Sequence, residues 1–129
     1  MPKDIPQQET AEFKVAPVKP AIAPEDLDKI DIRVGFIEQV EDVPRSDKLV
    51  RLLVDFGGFK RTILVGLKQE REDPTEIRGR QALFVVNLAP RKMMGELSEG
   101  MMFDIGYADH ITPVLGIPER PVPNGTRAG

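Results

Sequence analysis

The 129-residue chain has no cysteine, no tryptophan, a single histidine (His110) and a single tyrosine. The missing cysteines exclude disulfides, thiolate catalysis and cysteine metal sites together. One histidine cannot form a multi-histidine metal centre. No apolar run approaches the roughly 20 residues that cross a bilayer, and the opening MPKDIPQQETAEF carries no apolar signal core. A cytoplasmic address is the default expectation.

What is present fits one small soluble domain: 40% hydrophobic and 30% charged residues in 14.4 kDa. A chain of this size has a marginal core and gains from a partner subunit. The net charge of −3 hides an asymmetry. From Arg45 to Lys92 there are 11 Lys and Arg against 6 Asp and Glu, a local balance of +5, whereas the rest of the chain has 7 against 15, a balance of −8. A polyanion responds to the potential of the face it docks on, within about 10 Å at ordinary salt, so a basic middle between acidic arms matters more than the mean.

Residues 1–23 hold four prolines and little periodicity, and are expected to form a tail outside the core. Order is expected from Pro24, with PEDLDKID making a turn or two of helix. IDIRVGFIEQV alternates and then loses phase beyond Gly35, which predicts a strand bent by a bulge. LVRLLVDF and FKRTILVGL alternate as a second and third strand, joined by a tight turn at Gly57-Gly58. DPTEIRG predicts a very short helix with Asp73 as N-cap, Glu76 closing a capping box and Gly79 ending it. QALFVVNL reads as a fourth strand buried on nearly both faces, GMMFDIGY as a fifth, and Asn124-Gly125 marks a hairpin turn. An all-β chain of five strands, the first bent, with a short helix between the third and fourth, is the order of an OB-fold barrel. NLAPRKMMGELSEGMMF then contains the loop joining the fourth and fifth strands, which flanks the usual oligonucleotide groove of that fold.

In DIRVG, VPRSDKL, NLAPRKMMG and SEGMMF, spaced in family order, the sequence resembles the tRNA-binding domain family over about residues 25–129. That family includes free-standing tRNA-binding proteins, the C-terminal appendage of some methionyl-tRNA synthetases and the secretion chaperone CsaA. The ending PVPNGTRAG looks most like CsaA; the VPRSDKL region and the quoted loop look more like the synthetase appendage. The resemblance implies an OB-fold and, for a free-standing member with a C-terminal extension, a homodimer. Residues 104–129 supply apolar Ile105, Tyr107, Ile111, Val114, Leu115 and Ile117, which either form that dimer contact or seal the barrel's own end.

Arg91 and Lys92 lie on a loop, where cations have no packing task, and are read as phosphate contacts. Arg45, Lys48, Lys60 and Arg61 could extend the same basic surface. Asn87 could donate to a base or phosphate, or satisfy the loop backbone. Ser98 and Met101 match family positions that resemble its tRNA contacts; from the residues alone they read rather as a turn hydroxyl and a core methionine. Met93 and Met94 are expected to be at least partly exposed. Aromatics make up 5% of the chain and none lies in the basic loop, which argues against stacking of single-stranded bases and for a folded RNA read through phosphates and shape. No phosphate-loop lysine, metal-ligand spacing or nucleophile motif is present, so neither cofactor nor enzymatic activity is expected. The rival expectation is a chaperone that takes unfolded polypeptide in the same groove, with adaptable methionines as its contacts.

Overall fold

Apolar alternation builds the sheet of the computed structural model, which describes residues 13–129. A single turn, α1 (Pro24–Leu27), precedes β1 (Ile32–Asp42), β2 (Val50–Asp55) and β3 (Lys60–Val65). A 3-10 turn (Pro74–Ile77) leads to β4 (Gln81–Val85), β5 (Arg91–Met93), β6 (Glu96–Ser98) and β7 (Met101–Met102), with a second 3-10 turn at Tyr107–Asp109. The antiparallel sheet runs β3-β2-β1-β4-β7, while β5 and β6 form a separate ribbon.

β1 is long enough to serve two partners: Ile32 to Phe36 pair with β4, and Phe36 to Asp42 pair with β2. The predicted bulge falls between Ile37 and Gln39, slightly later than the phase break at Gly35. Gly35 answers to packing: a Cβ there would lie 2.4 Å from Val54 Cγ1 and 2.7 Å from Phe56 Cε1. β1 therefore bends around the core with no side chain at its closest approach.

The sheet closes into a barrel where the chain after β6 runs beside β3. Glu99 N donates to Thr62 O at 2.8 Å, Thr62 N to Glu99 Oε1 at 2.9 Å and Leu64 N to Ser98 Oγ at 3.0 Å. Two side chains thus replace backbone acceptors at the seam. Inside lie Ile37, Leu52, Val54, Ile63, Ile77 and Phe84, all fully buried, with Phe56 edge-on to Phe84. This is the expected OB-fold, with the short helix in its expected place. That helix is a 3-10 turn, and only half of its predicted capping holds. Asp73 Oδ1 accepts from Thr75 N at 3.1 Å, but Glu76 pairs with Arg71 instead of closing a box.

Two further expectations change. The loop between the fourth and fifth barrel strands is a ribbon, because Met94 and Gly95 both take positive φ (52° and 80°), the geometry of a two-residue hairpin turn. The fifth strand shrinks to Met101–Met102, extended only by Phe103 N donating to Leu83 O. The C-terminal extension divides. Residues 122–128 return to the barrel, where Val34 N donates to Thr126 O, Gly125 N to Val34 O and the Gln81 amide to Val122 O. Asn124-Gly125 is a tight turn within this return, and its only strand-like neighbour is the Arg33–Arg127 bridge. Leu115 joins the core, whereas Ile105, Tyr107, Val114 and Ile117 stay more than half exposed. Of the predicted tail, residues 13–23 are exposed and form neither helix nor strand; residues 1–12 lie outside the described residues.

Candidate nucleic-acid interface

Four of the predicted cations meet at one end of the barrel because two connections pack on a common apolar base. Val43 and Leu49, the ends of the β1–β2 loop, form a small buried cluster with Leu64 of β3, and Met93 of β5 packs against it. The loop is held rigidly over that cluster. Ser46 Oγ accepts from Lys48 N and Leu49 N at 3.1 and 2.9 Å, and Lys68 Nζ donates to Val43 O and Ser46 O at 3.0 and 2.7 Å. The ribbon is tied down by Arg51, whose guanidinium bridges Glu41 of β1 at 3.0 Å and Glu96 of β6 at 2.6 Å. That double pairing raises the Arg51 pKa and keeps it charged.

On this frame Arg45, Lys48, Arg91 and Lys92 are all exposed. None of the four side chains makes a hydrogen bond or ion pair among the described residues. The carboxylate nearest in sequence is Asp47, while Glu96 is already neutralised by Arg51. Such cations keep their hydration and lose little on moving to a phosphate.

The other predicted residues stand differently. Lys60 pairs with Glu38 at 3.1 Å. Arg61 Nη1 donates to Val86 O and Glu99 O at 3.1 and 2.8 Å, and its guanidinium lies 5.0 Å from the Phe59 ring centre. Asn87 Oδ1 accepts from Asp31 N and its Nδ2 donates to Lys29 O, so its amide fastens the connection between α1 and β1 to the end of β4. Ser98 is 3% exposed; its hydroxyl accepts from Leu64 N and donates to Gly100 O. The backbone alternatives raised for Asn87 and Ser98 are the roles their side chains fill. Met101 is 52% exposed and Met102 buried, whereas Met93 is half-buried on the small cluster.

Met94 was expected to be partly exposed, but its place at a turn was not foreseen. It sits at the ribbon tip in the left-handed region, costing about 1 kcal/mol for a non-glycine residue, and stays 49% exposed. Its signal was the Met-Met-Gly order, which places a methionine where turns favour Asn or Gly. Arg51 and Lys68, which position the site, had no sequence signal beyond being cations.

Beside the ribbon runs a groove of about 630 Å³, with Leu88, Met101, Phe103 and Tyr107 among its apolar walls. Arg91 and Met93 of the ribbon line it, as do Glu70 and Asp104 of the segments that follow β3 and β7. Burial raises the pKa of both acids; for Glu70 the adjacent Asp104 adds to the effect and Arg71 partly offsets it, and for Asp104 a hydrogen bond from the Tyr107 backbone partly offsets it. Among the described residues no cluster of three potential metal ligands occurs, and no helix is long and apolar enough to cross a membrane.

Comparison with known proteins agrees with this geometry. The model of the tRNA-binding domain family matches residues 32–127. A MetRS-related protein from Pyrococcus horikoshii superposes with a TM-score of 0.78 at 31% identity, covering 86% of this chain and 100% of its own. The chaperone CsaA from Bacillus anthracis str. Ames gives 0.69 at 29% identity, covering 84% and 100%. CsaA from Picrophilus torridus gives 0.71 at 25% identity with the same coverage.

Proposed function

This chain belongs to the tRNA-binding domain family, and from that premise we propose that it binds folded tRNA as a homodimer, sequence-tolerantly and without catalysis. The observation that carries the reading is the set of four untied cations, Arg45, Lys48, Arg91 and Lys92, gathered from two connections over one apolar cluster. Phosphates are their ligands. Met94 at the ribbon tip and Met101 at the groove supply soft contacts to sugar or base. Ser98 and Asn87 act as positioning residues, the first holding the ribbon to β3 and the second holding the connection between α1 and β1 to β4. Lys60 and Arg61 contribute long-range potential only.

Dimerisation is supported by Ile105, Tyr107, Val114 and Ile117, which are 51–68% exposed on one C-terminal stretch. A binding role without chemistry is supported by Ser98, the only hydroxyl besides Tyr107 that lines the groove among the described residues, because its oxygen is already committed to two backbone groups.

A second reading has its own observation. The groove beside the cations is mostly apolar and lined by methionines, which suits an extended polypeptide and resembles the setting expected of a CsaA-like chaperone. Titration of the protein with labelled total tRNA at 50 and 200 mM salt, with an unfolded polypeptide as competitor, decides between them. Neutralising about four phosphates per protomer predicts a loss of affinity of roughly a hundredfold over that range. Binding that is weak, salt-insensitive and displaced by polypeptide would make the chaperone reading primary.

A further inference from the structure

Residues 13–23 form neither helix nor strand, are exposed throughout and make little use of their own apolar side chains. Val15 is 83% exposed, Val18 97% and Ile22 62%, and no backbone hydrogen bond among the described residues involves positions 13–22. The only charges of the segment are Lys14 and Lys19. Pro17 and Pro20 hold such a segment extended without a neighbouring strand, so little conformational freedom is lost when it docks.

The root of this segment is held by the cap of α1. Ala23 is extended (φ −81°, ψ 152°), Ala23 N donates to Asp26 Oδ2 at 3.2 Å, and Asp26 N donates to Ala23 O at 2.9 Å. Pro20 and Pro24 bias Lys19 and Ala23 toward the same extended form. No residue of 13–23 lines the groove of its own chain.

The complementary surface lies on the acidic half of that groove. Glu70 and Asp104 are half-buried, neither forms an ion pair among the described residues, and Phe103 and Tyr107 beside them are 46% and 68% exposed. The groups facing the two acids are the Tyr107 backbone N–H and the more distant Arg71, whose guanidinium is engaged by Glu76. One chain thus carries a basic apolar segment and an acidic apolar groove, and among the described residues neither pairs its charges in an ion pair.

We propose that residues 13–23 of one protomer strap across the Glu70 and Asp104 half of the groove of a second copy, with Val15 and Val18 against Phe103 and Tyr107 and a tail lysine beside the acids. The strap leaves the Arg91 half open to RNA. This rests on the homodimer reading, which it deepens by naming a contact. The family match begins at residue 32, so the strap is an addition to the domain and not a part of it.

The chain has no cysteine, which makes disulfide trapping unambiguous. A Val18→Cys chain is mixed with a Tyr107→Cys chain under mild oxidation and run on a non-reducing gel; both positions are exposed, so both variants fold. The expected result is a covalent heterodimer, in yield well above the homodimers that each variant forms alone. Lys14→Glu with Lys19→Glu in the first chain should reduce it severalfold, and Glu70→Lys with Asp104→Lys in the second should restore it. Fast-migrating monomer from a chain carrying both cysteines, with no covalent dimer, would overturn the strap in favour of docking within one chain. Sedimentation of the unsubstituted protein separates the two levels: a dimer that gives no cross-link rejects the strap alone, and a monomer at all concentrations rejects the homodimer reading with it.

Discussion

The two ends of the β2–β3 hairpin are both basic in sequence, and the structure treats them in opposite ways. At the Gly57-Gly58 end, Lys60 is paired with Glu38, and Arg61 is bonded to two carbonyls and laid beside Phe59, with Arg33 5.7 Å from the same ring. At the other end, about 17 Å away across the five intervals of a six-pair ladder, the β1–β2 loop and the β5–β6 ribbon present four cations with no partner among the described residues. The difference teaches that a count of basic residues locates a charged region, while an account of each cation's hydrogen bonds locates the surface left for a ligand. Cations at the first end hold the barrel together; those at the second are held in place by Arg51 and Lys68 and are free to act outward.

That contrast can be broken most forcefully at Arg61. Arg61→Gln removes donors from Val86 O and Glu99 O and should lower stability by about 2 kcal/mol, read as a shifted urea midpoint, whereas Arg91→Gln should leave the midpoint within about 0.5 kcal/mol of the parent. Equal effects would dissolve the distinction. Ser98→Ala comes next. It strands Leu64 N at the barrel seam and should cost about 1–2 kcal/mol, while Ser98→Thr, which keeps the hydroxyl, should recover part of the loss. Loss of tRNA affinity without loss of stability would instead make Ser98 a contact residue.

Met94→Gly should stabilise the ribbon by up to about 1 kcal/mol by relieving the left-handed backbone, yet weaken tRNA binding by removing the tip contact. A stabilised variant with unchanged affinity would show that the tip is only a turn. The smallest effect concerns pH. Glu70 and Asp104 have folded pKa values raised above their ordinary 4.5 and 3.8, so the folded state holds protons that the unfolded state has released. Their contribution is complete below the ordinary values and is lost as pH rises through the raised ones. In a chain whose tail carries Lys14→Glu and Lys19→Glu, thermal melts should show this decline, and Glu70→Gln with Asp104→Asn should flatten it.

Much of the barrel was legible from local chemistry. Alternation placed the inward faces of β2 and β3, the lost phase after Gly35 announced the bulge, and Asp73-Pro74 announced the short helix. The ribbon was not legible, because Met94-Gly95 lacks the Asn-Gly or Asp-Gly pair that usually marks such a turn. The roles of Ser98 and Glu99 at the seam depend on β3, more than 30 residues away in sequence, and no local pattern encodes a side chain that replaces a backbone acceptor. The same distance hid the division among the cations: Lys48 and Lys60 look alike in sequence, and only the arrival of Glu38 beside Lys60 separates them. Arg91 and Lys92 were readable as outward cations, although they stand on β5 of the ribbon and not on the loop that the sequence suggested.

The most direct test of the account sets the two ends against each other in one experiment: the salt dependence of tRNA affinity for the unsubstituted protein, for Arg91→Glu with Lys92→Glu, and for Lys60→Glu. Loss of two phosphate contacts should reduce the slope of log affinity against log salt by about 1.4–1.8 in the double variant, with a large fall in affinity at low salt, and leave the slope of Lys60→Glu close to that of the parent. Equal slopes for all three folded proteins, or a larger change for Lys60→Glu, would contradict the assignment of the RNA face to the ribbon end of the barrel.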